Sequence, residues 1–234
     1  MIFDDFLKAV RQLSDPRFLR VLLMGLALTI GLLVGIYWVF ATAIGWLVPD
    51  TLTLPWIGDI GGIDAALSWA AIPVMLVASV FLMVPVASAF IGIFLEQIAD
   101  AVEDRHYPGL PPARQVGLAE GLLDAVRFLG VVIGVNLVAL VAYILFAPIA
   151  PILFWVVNGV LLGREYAQLV ALRRNDAVGA ARFRKRHRTQ IFAAGVLMAV
   201  PLTIPVVNLL VPILGAATFT HLYHRLSRAA PRTG

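Results

Sequence analysis

The chain has 234 residues, 61% of them hydrophobic and only 14% charged, with a mean hydropathy of +0.92, a balance that leaves too little polar surface to cover a soluble globule of this size. It reads as an integral membrane protein. There is no cysteine, which excludes a disulfide framework, an iron–sulfur cluster and a thiolate zinc site, and the net charge of +4 in so apolar a chain points to membrane orientation rather than to nucleic acid.

The first residues, Met1-Ile2-Phe3-Asp4-Asp5, are acidic where a secretory leader needs a basic region, so no cleaved leader is expected. Phe3, Phe6, Leu7, Val10 and Leu13 recur at helical spacing with Asp4, Asp5, Lys8 and Arg11 between them. This predicts an amphipathic helix over 1–16 at the membrane surface, broken by Ser14-Asp15-Pro16. Val21 to Val48 is 28 residues without a charge, roughly 42 Å of helix against about 30 Å of hydrocarbon. A spanning helix is therefore expected over 18–48. Residues 49–64 hold no Lys or Arg, and a second charge-free run leads to a second spanning helix over 65–95, with Pro73 and Pro85 as kinks.

A charged helical linker follows over 96–127, interrupted at Pro108-Gly109-Leu110-Pro111-Pro112. The third apolar stretch, 128–163, carries Pro148 and Pro151 near its middle, and the fourth, 190–222, carries Pro201, Pro205 and Pro212. Each reads as a broken helical hairpin. A basic helical segment lies between them at 164–189, and a basic tail follows at 223–234. The pieces of the fourth stretch have about 11 to 15 residues, roughly 17–22 Å of helix, too short to cross about 30 Å of hydrocarbon. They are expected to penetrate part way.

Charge supports that topology. Residues 164–188 hold eight basic residues, which would face the far side if the third stretch crossed once. If each broken stretch returns to the side it entered, all 18 Lys and Arg share one side and the 49–64 loop has the other. The expected fold is thus an all-α integral membrane protein with two long transmembrane helices, two half-penetrating helical hairpins and amphipathic helices. Backbone groups at a hairpin tip need partners that lipid does not offer, and discontinuous helices with ends at mid-membrane are how transporters make ion sites.

Three sets of residues resemble a known family: Phe94-Leu95-Glu96-Gln97-Ile98-Ala99-Asp100 running to Glu103-Asp104-Arg105-His106-Tyr107-Pro108; Asn158-Gly159 with Leu162-Gly163-Arg164-Glu165-Tyr166; and Pro205-Val206-Val207-Asn208-Leu209 through Pro212 to Thr220-His221. Together they are similar to the CysZ sulfate permeases and the wider etoposide-induced-protein-like membrane family, over most of the chain. The resemblance implies a multi-pass protein of the bacterial inner membrane that assembles as a homo-oligomer and passes sulfate inward for cysteine synthesis. It also implies an anion site at the start of the first long helix, where the corresponding residues here are Arg17, Phe18, Leu19 and Arg20. Arg20 matches an arginine of the family's segment, while Arg17 and Leu19 stand where glycine and the other arginine are usual. Exposed N–H groups at a helix start beside a guanidinium suit a tetrahedral oxyanion.

Glu96, Asn158, Arg164, Glu165 and Asn208 are the candidates for a permeation path, being polar residues in or beside the apolar stretches. Arg182 to Arg188, between two membrane hairpins, is expected to meet anionic lipid headgroups and no nucleic acid. His221 and His224 lie three apart with no third ligand, so an interfacial role is expected and no metal site. No nucleophile–base pair or phosphate loop occurs, no cofactor is implied, and Glu103-Asp104 reads as a solvated helix face. The reading is a sulfate or oxyanion permease or channel and not an enzyme. The alternatives are a non-conducting scaffold that shapes or binds the bilayer, and a membrane enzyme using Glu96, Arg164 and Glu165.

Overall fold

A computed structural model describes residues 1–47, 51–54, 58–61, 94–208 and 210–229. Proline and charge punctuate it into helices. Helix α1 (Ile2–Arg11) is followed by α2 (Pro16–Leu47), whose 32 residues reach about 48 Å. Proline opens α2 where a missing N–H costs nothing. A short antiparallel hairpin follows, β1 (Thr51–Leu54) with β2 (Gly58–Gly61), in which Thr51 faces Gly61 and Leu54 faces Gly58. The second spanning helix expected over 65–95 lies almost wholly outside the described residues.

Helix α3 runs over 94–106 and stops before Pro108; Gly109, at φ +84°, takes the left-handed turn that follows. The linker has no regular secondary structure over 110–117, and α4 (Leu118–Leu145) then ends at a single 3₁₀ turn, Ala147–Ile149, that contains Pro148. Helix α5 (Ala150–Leu172) carries Pro151 in its first turn, where proline is tolerated. Next come α6 (Ala177–Arg186), capped by the Asp176 carboxylate accepting from the Gly179 N–H at 2.7 Å, and α7 (Arg188–Ala199). A second 3₁₀ turn at Pro201–Thr203 leads to α8 (Pro205–Asn208) and α9 (Val211–Ala229).

The chain forms two compact units, Leu23–Phe90 and the remainder. In the first, α2 turns Leu23, Met24, Leu26, Leu28, Ile30, Val34, Trp38 and Val39 outward. An apolar exterior of that extent is stable in lipid and not in water. In the second unit, α4 does the same with Ile133, Leu137, Val138, Leu140, Val141, Ile144 and Leu145, and Ala139 is the buried residue of its middle. Three helical stretches among the described residues are long and apolar enough to cross a membrane: Pro16–Ile36, Leu123–Leu145 and Ala147–Leu172.

The first broken stretch is an antiparallel hairpin, since Asp124 near the start of α4 accepts from Gln168 near the end of α5 at 3.0 Å. Its arms, 28 and 23 residues long, reach about 42 and 34 Å. Length does not limit its depth, and the charge asymmetry is satisfied by any hairpin that returns to its starting side. The length limit holds for α7 in the second broken stretch, with 12 residues. Helix α5 continues past 163 into the basic segment, and α9 runs through 222 into the tail, so these boundaries lie inside helices.

Glycine sets how closely the hairpins meet. Gly159 and Gly163 are one turn apart on α5, and a Cβ on Gly195 of α7 would collide with the Gly159 carbonyl oxygen. A Cβ on Gly163 would come within 2.7 Å of the Ile191 carbonyl oxygen, and one on Gly159 within 2.5 Å of Val196 Cγ2. Gly159 meeting Val196 while Gly163 meets Ile191 makes α5 and α7 antiparallel, with backbones in contact as small-residue spacing permits in membranes. Helix α9 runs parallel to α5: Tyr166 packs under Gly215 and stacks on Phe219 at 5.7 Å, and Asn175 just beyond α5 donates to the Tyr223 hydroxyl at 2.7 Å. The core of this unit gathers Phe18, Ile98, Val102, Tyr166, Val170, Met198, Phe219 and Leu222.

Candidate functional site

The start of α2 is the first place to look for an anion. The Asp15 carboxylate accepts the Arg17 backbone N–H at 2.9 Å and lies 3.8 Å from Arg105. The Arg17 guanidinium donates to Asp104 of α3 at 2.7 Å. Phe18 is buried in the core at 1% exposure, whereas Leu19 and Arg20 are exposed, and Arg20 makes no ion pair among the described residues. The four residues therefore divide into one anchor and three outward positions. At this helix start, carboxylates hold the backbone and guanidinium donors of Arg17, while Arg20 makes no ion pair among the described residues.

The candidate path residues are more scattered. Asn158 is half-buried beside the α5–α7 contact and donates to the Phe154 carbonyl of its own helix at 2.8 Å. Arg164 and Glu165 are half-buried neighbours on α5, and Glu96 and Asn208 are exposed on α3 and α8. No hydrogen bond or ion pair among the described residues joins any two of the five. The structure brings Arg164 and Glu165 together only as sequence neighbours.

What the fold does assemble is a buried ion network under the end of α5. Leu95, Ile98, Ala99 and Val102 turn one face of α3 into the core, and Glu103 follows Ala99 by four residues on that face, leaving it 5% exposed. Its Oε1 accepts from Arg174 Nε at 3.1 Å and from His224 Nε2 at 2.8 Å, and its Oε2 accepts from Arg173 Nη2 at 3.2 Å and from Arg174 Nη2. Arg173, 3% exposed, also donates to Asp100. Burial alone would push the Glu103 carboxyl up, but hydrogen bonds from His224 and Arg174 and the charges of Arg173 and Arg174 outweigh it and hold it at about 2. A buried carboxylate is tolerated only when paired and hydrogen-bonded to this degree.

Neighbouring contacts extend the network. The Tyr107 hydroxyl and His221 Nδ1 are 2.9 Å apart in the interior, and the Tyr107 ring lies 4.4 Å from that of His224. Burial raises the Tyr107 hydroxyl above its ordinary pKa. Asp5 of α1 is buried and accepts from both Nε and Nη2 of Arg225 on α9, at 2.9 and 2.7 Å. Gln12 donates to the Ala101 carbonyl at 3.1 Å. Helix α1 thus turns Asp5, Ala9 and Gln12 inward and leaves Phe3, Leu7 and Val10 exposed, an apolar face suited to a membrane surface.

Three expectations for these residues are corrected here. Glu103 is not on a solvated helix face, although Asp104 next to it is exposed. His221 and His224 are interior residues at 0% and 5% exposure, not interfacial ones. Arg173, which in the sequence is one of eight basic residues in 164–188, is an interior residue. The α3 apolar stripe could have placed Glu103 inward; its partners, 70 to 121 positions away, had no local signal. Among the described residues no three His, Asp or Glu side chains are grouped to hold a metal ion.

The model of one family, described as Sulfate transporter CysZ/Etoposide-induced protein 2.4, matches residues 5–212 of this chain. No individual curated protein matches it significantly. With nearly the whole chain matched, the protein belongs to that family, and its role is of the membrane-transporter type.

Proposed function

We propose that the protein is a permease or channel for sulfate or a related oxyanion in the bacterial inner membrane, supplying sulfate for assimilation into cysteine and working as a homo-oligomer. Membership of the sulfate-transporter family carries this reading. The apolar exteriors of α2 and α4 support its membrane setting. In this proposal both broken stretches enter and return on one side, and the anion is collected at the start of α2 by Arg20 and Arg17 with the helix N-terminus. Asp104 accepts from the Arg17 guanidinium, so in this reading sulfate competes with that carboxylate for it. Asn158, Arg164, Glu165, Asn208 and Glu96 tune the path.

The test is radiolabelled sulfate uptake into proteoliposomes by the wild type, by Arg20→Ala and by protein-free vesicles. Saturable uptake weakened by the substitution supports transport with the anion at α2. Uptake indifferent to Arg20 retains the permease and moves the site. Folded protein with no uptake above empty vesicles overturns sulfate transport in favour of a non-conducting role.

A further inference from the structure

Some basic residues of the larger unit pair with carboxylates and others do not. Arg17, Arg105, Arg114, Arg173, Arg174 and Arg225 each pair with a carboxylate. Arg182, Lys185 and Arg186 have no carboxylate partner among the described residues, and they are not spread over a surface. They stand at the i, i+3 and i+4 positions of α6, which place them on one helix face, and with His187 they line one wall of an open cavity of about 620 Å³. The other wall is α9, with Tyr223, Leu226 and Ser227.

A second cavity, about 710 Å³, adjoins it and shares Tyr223 and Ser227, adding Arg228 and the outer side of Arg174. Among the described residues no Asp or Glu lines either cavity. The floor is aromatic: Phe183 lies 4.8 Å from the Tyr223 ring and 5.0 Å from that of His187. Arg182, Lys185 and Arg186, without carboxylate partners among the described residues, raise the local potential and favour a multiply charged anion. The space greatly exceeds one tetrahedral oxyanion, while hydroxyl donors and aromatic faces suit an organic body attached to it.

We propose that the groove between α6 and α9 is a binding site for an organic phosphate, its phosphate held by Arg182, Lys185 and Arg186 and its organic part resting on Phe183 and Tyr223. Arginine and lysine at three and four residues' spacing offer a fork and a point charge to the same oxyanion. The site is separate from the start of α2, and the inference does not depend on sulfate being transported. The phosphate belongs either to a soluble nucleotide-like ligand or to a phospholipid headgroup.

The experiment uses the full chain in nanodiscs and reads amide hydrogen exchange over 180–187 and 222–227. Discs of digalactosyldiacylglycerol, a bilayer lipid without phosphate, are compared with and without added ADP, and with discs containing phosphatidylglycerol. Slower exchange with ADP identifies the soluble source; slower exchange with phosphatidylglycerol alone identifies the headgroup. The joint substitution Lys185→Ala and Arg186→Ala weakens the protecting ligand by about tenfold or more, while Arg188→Ala, outside the groove, leaves it unchanged. Where the double variant does not retain its melting transition, Arg182→Gln is read in its place. No protection by either ligand, wild-type binding by the groove variants, or an equal loss with Arg188→Ala overturns the proposal.

Discussion

His224 Nε2 lies 2.8 Å from Glu103 Oε1, a contact that joins α3 to α9 across 121 positions of sequence. The same carboxylate takes both arginines at the end of α5, so one side chain ties together three helices that meet nowhere in the sequence.

Removing that charge takes the counter-ion from half-buried Arg174 and leaves buried Arg173 with Asp100 alone among the described residues. Glu103→Gln is expected to cost roughly 3–5 kcal/mol, the scale seen when one partner of a buried pair is deleted. Thermal melting in detergent checks this; an unchanged midpoint means that the arginines find other partners.

The network also sets an acid limit. The Glu103 carboxyl is held at about 2, below its ordinary value of 4.5. A depressed folded pKa contributes stability that is fully present above 4.5 and is lost as pH falls from there toward about 2. Denaturation midpoints measured from neutral pH down to that range should fall, and the slope in that window should be smaller for Glu103→Gln.

Gly195→Leu places a side chain where the Gly159 carbonyl already sits. Overpacking of this kind costs about 1–3 kcal/mol or more, and here the displaced atoms are backbone. Sulfate uptake and melting temperature should fall together, whereas Gly130→Leu, with open space around its Cβ position, should leave both near wild type.

Sidedness has a clean test because the chain has no cysteine. Ala177→Cys and Ser227→Cys, both exposed, should react with an impermeant maleimide only from the side of the N-terminus, and Thr53→Cys only from the opposite side. Labelling of residue 177 from the side of residue 53 would remove the hairpin topology.

Several elements were legible before any coordinates. The breaks at Pro148, Pro151, Pro201 and Pro205 are where proline forbids a continuous helix, and the exposed apolar face of α1 follows from its spacing. Helix lengths within the first broken stretch were less legible, because α4 begins well before the charge-free run and α5 ends well after it. Composition marks where charge is absent; it does not mark where a helix stops. The interior polar contacts were hidden for another reason. Whether Glu103 is solvated depends on Arg173, Arg174 and His224 arriving from other helices, and no periodicity within α3 states that they do. Arg17 pairing with Asp104 has the same character.

The pairing of Asp5 with Arg225 bears on the order in which the protein is made. Helix α1 is translated before α9, so its inward carboxylate waits for a guanidinium 220 positions later, while Glu103 meets Arg173 and Arg174 first and waits only for His224. Until α9 emerges, Asp5 lacks the Arg225 guanidinium that makes its burial tolerable, so α1 cannot settle against the core before α9 is made. A nascent chain stalled before residue 224 would hold inserted spans and an unfinished interior.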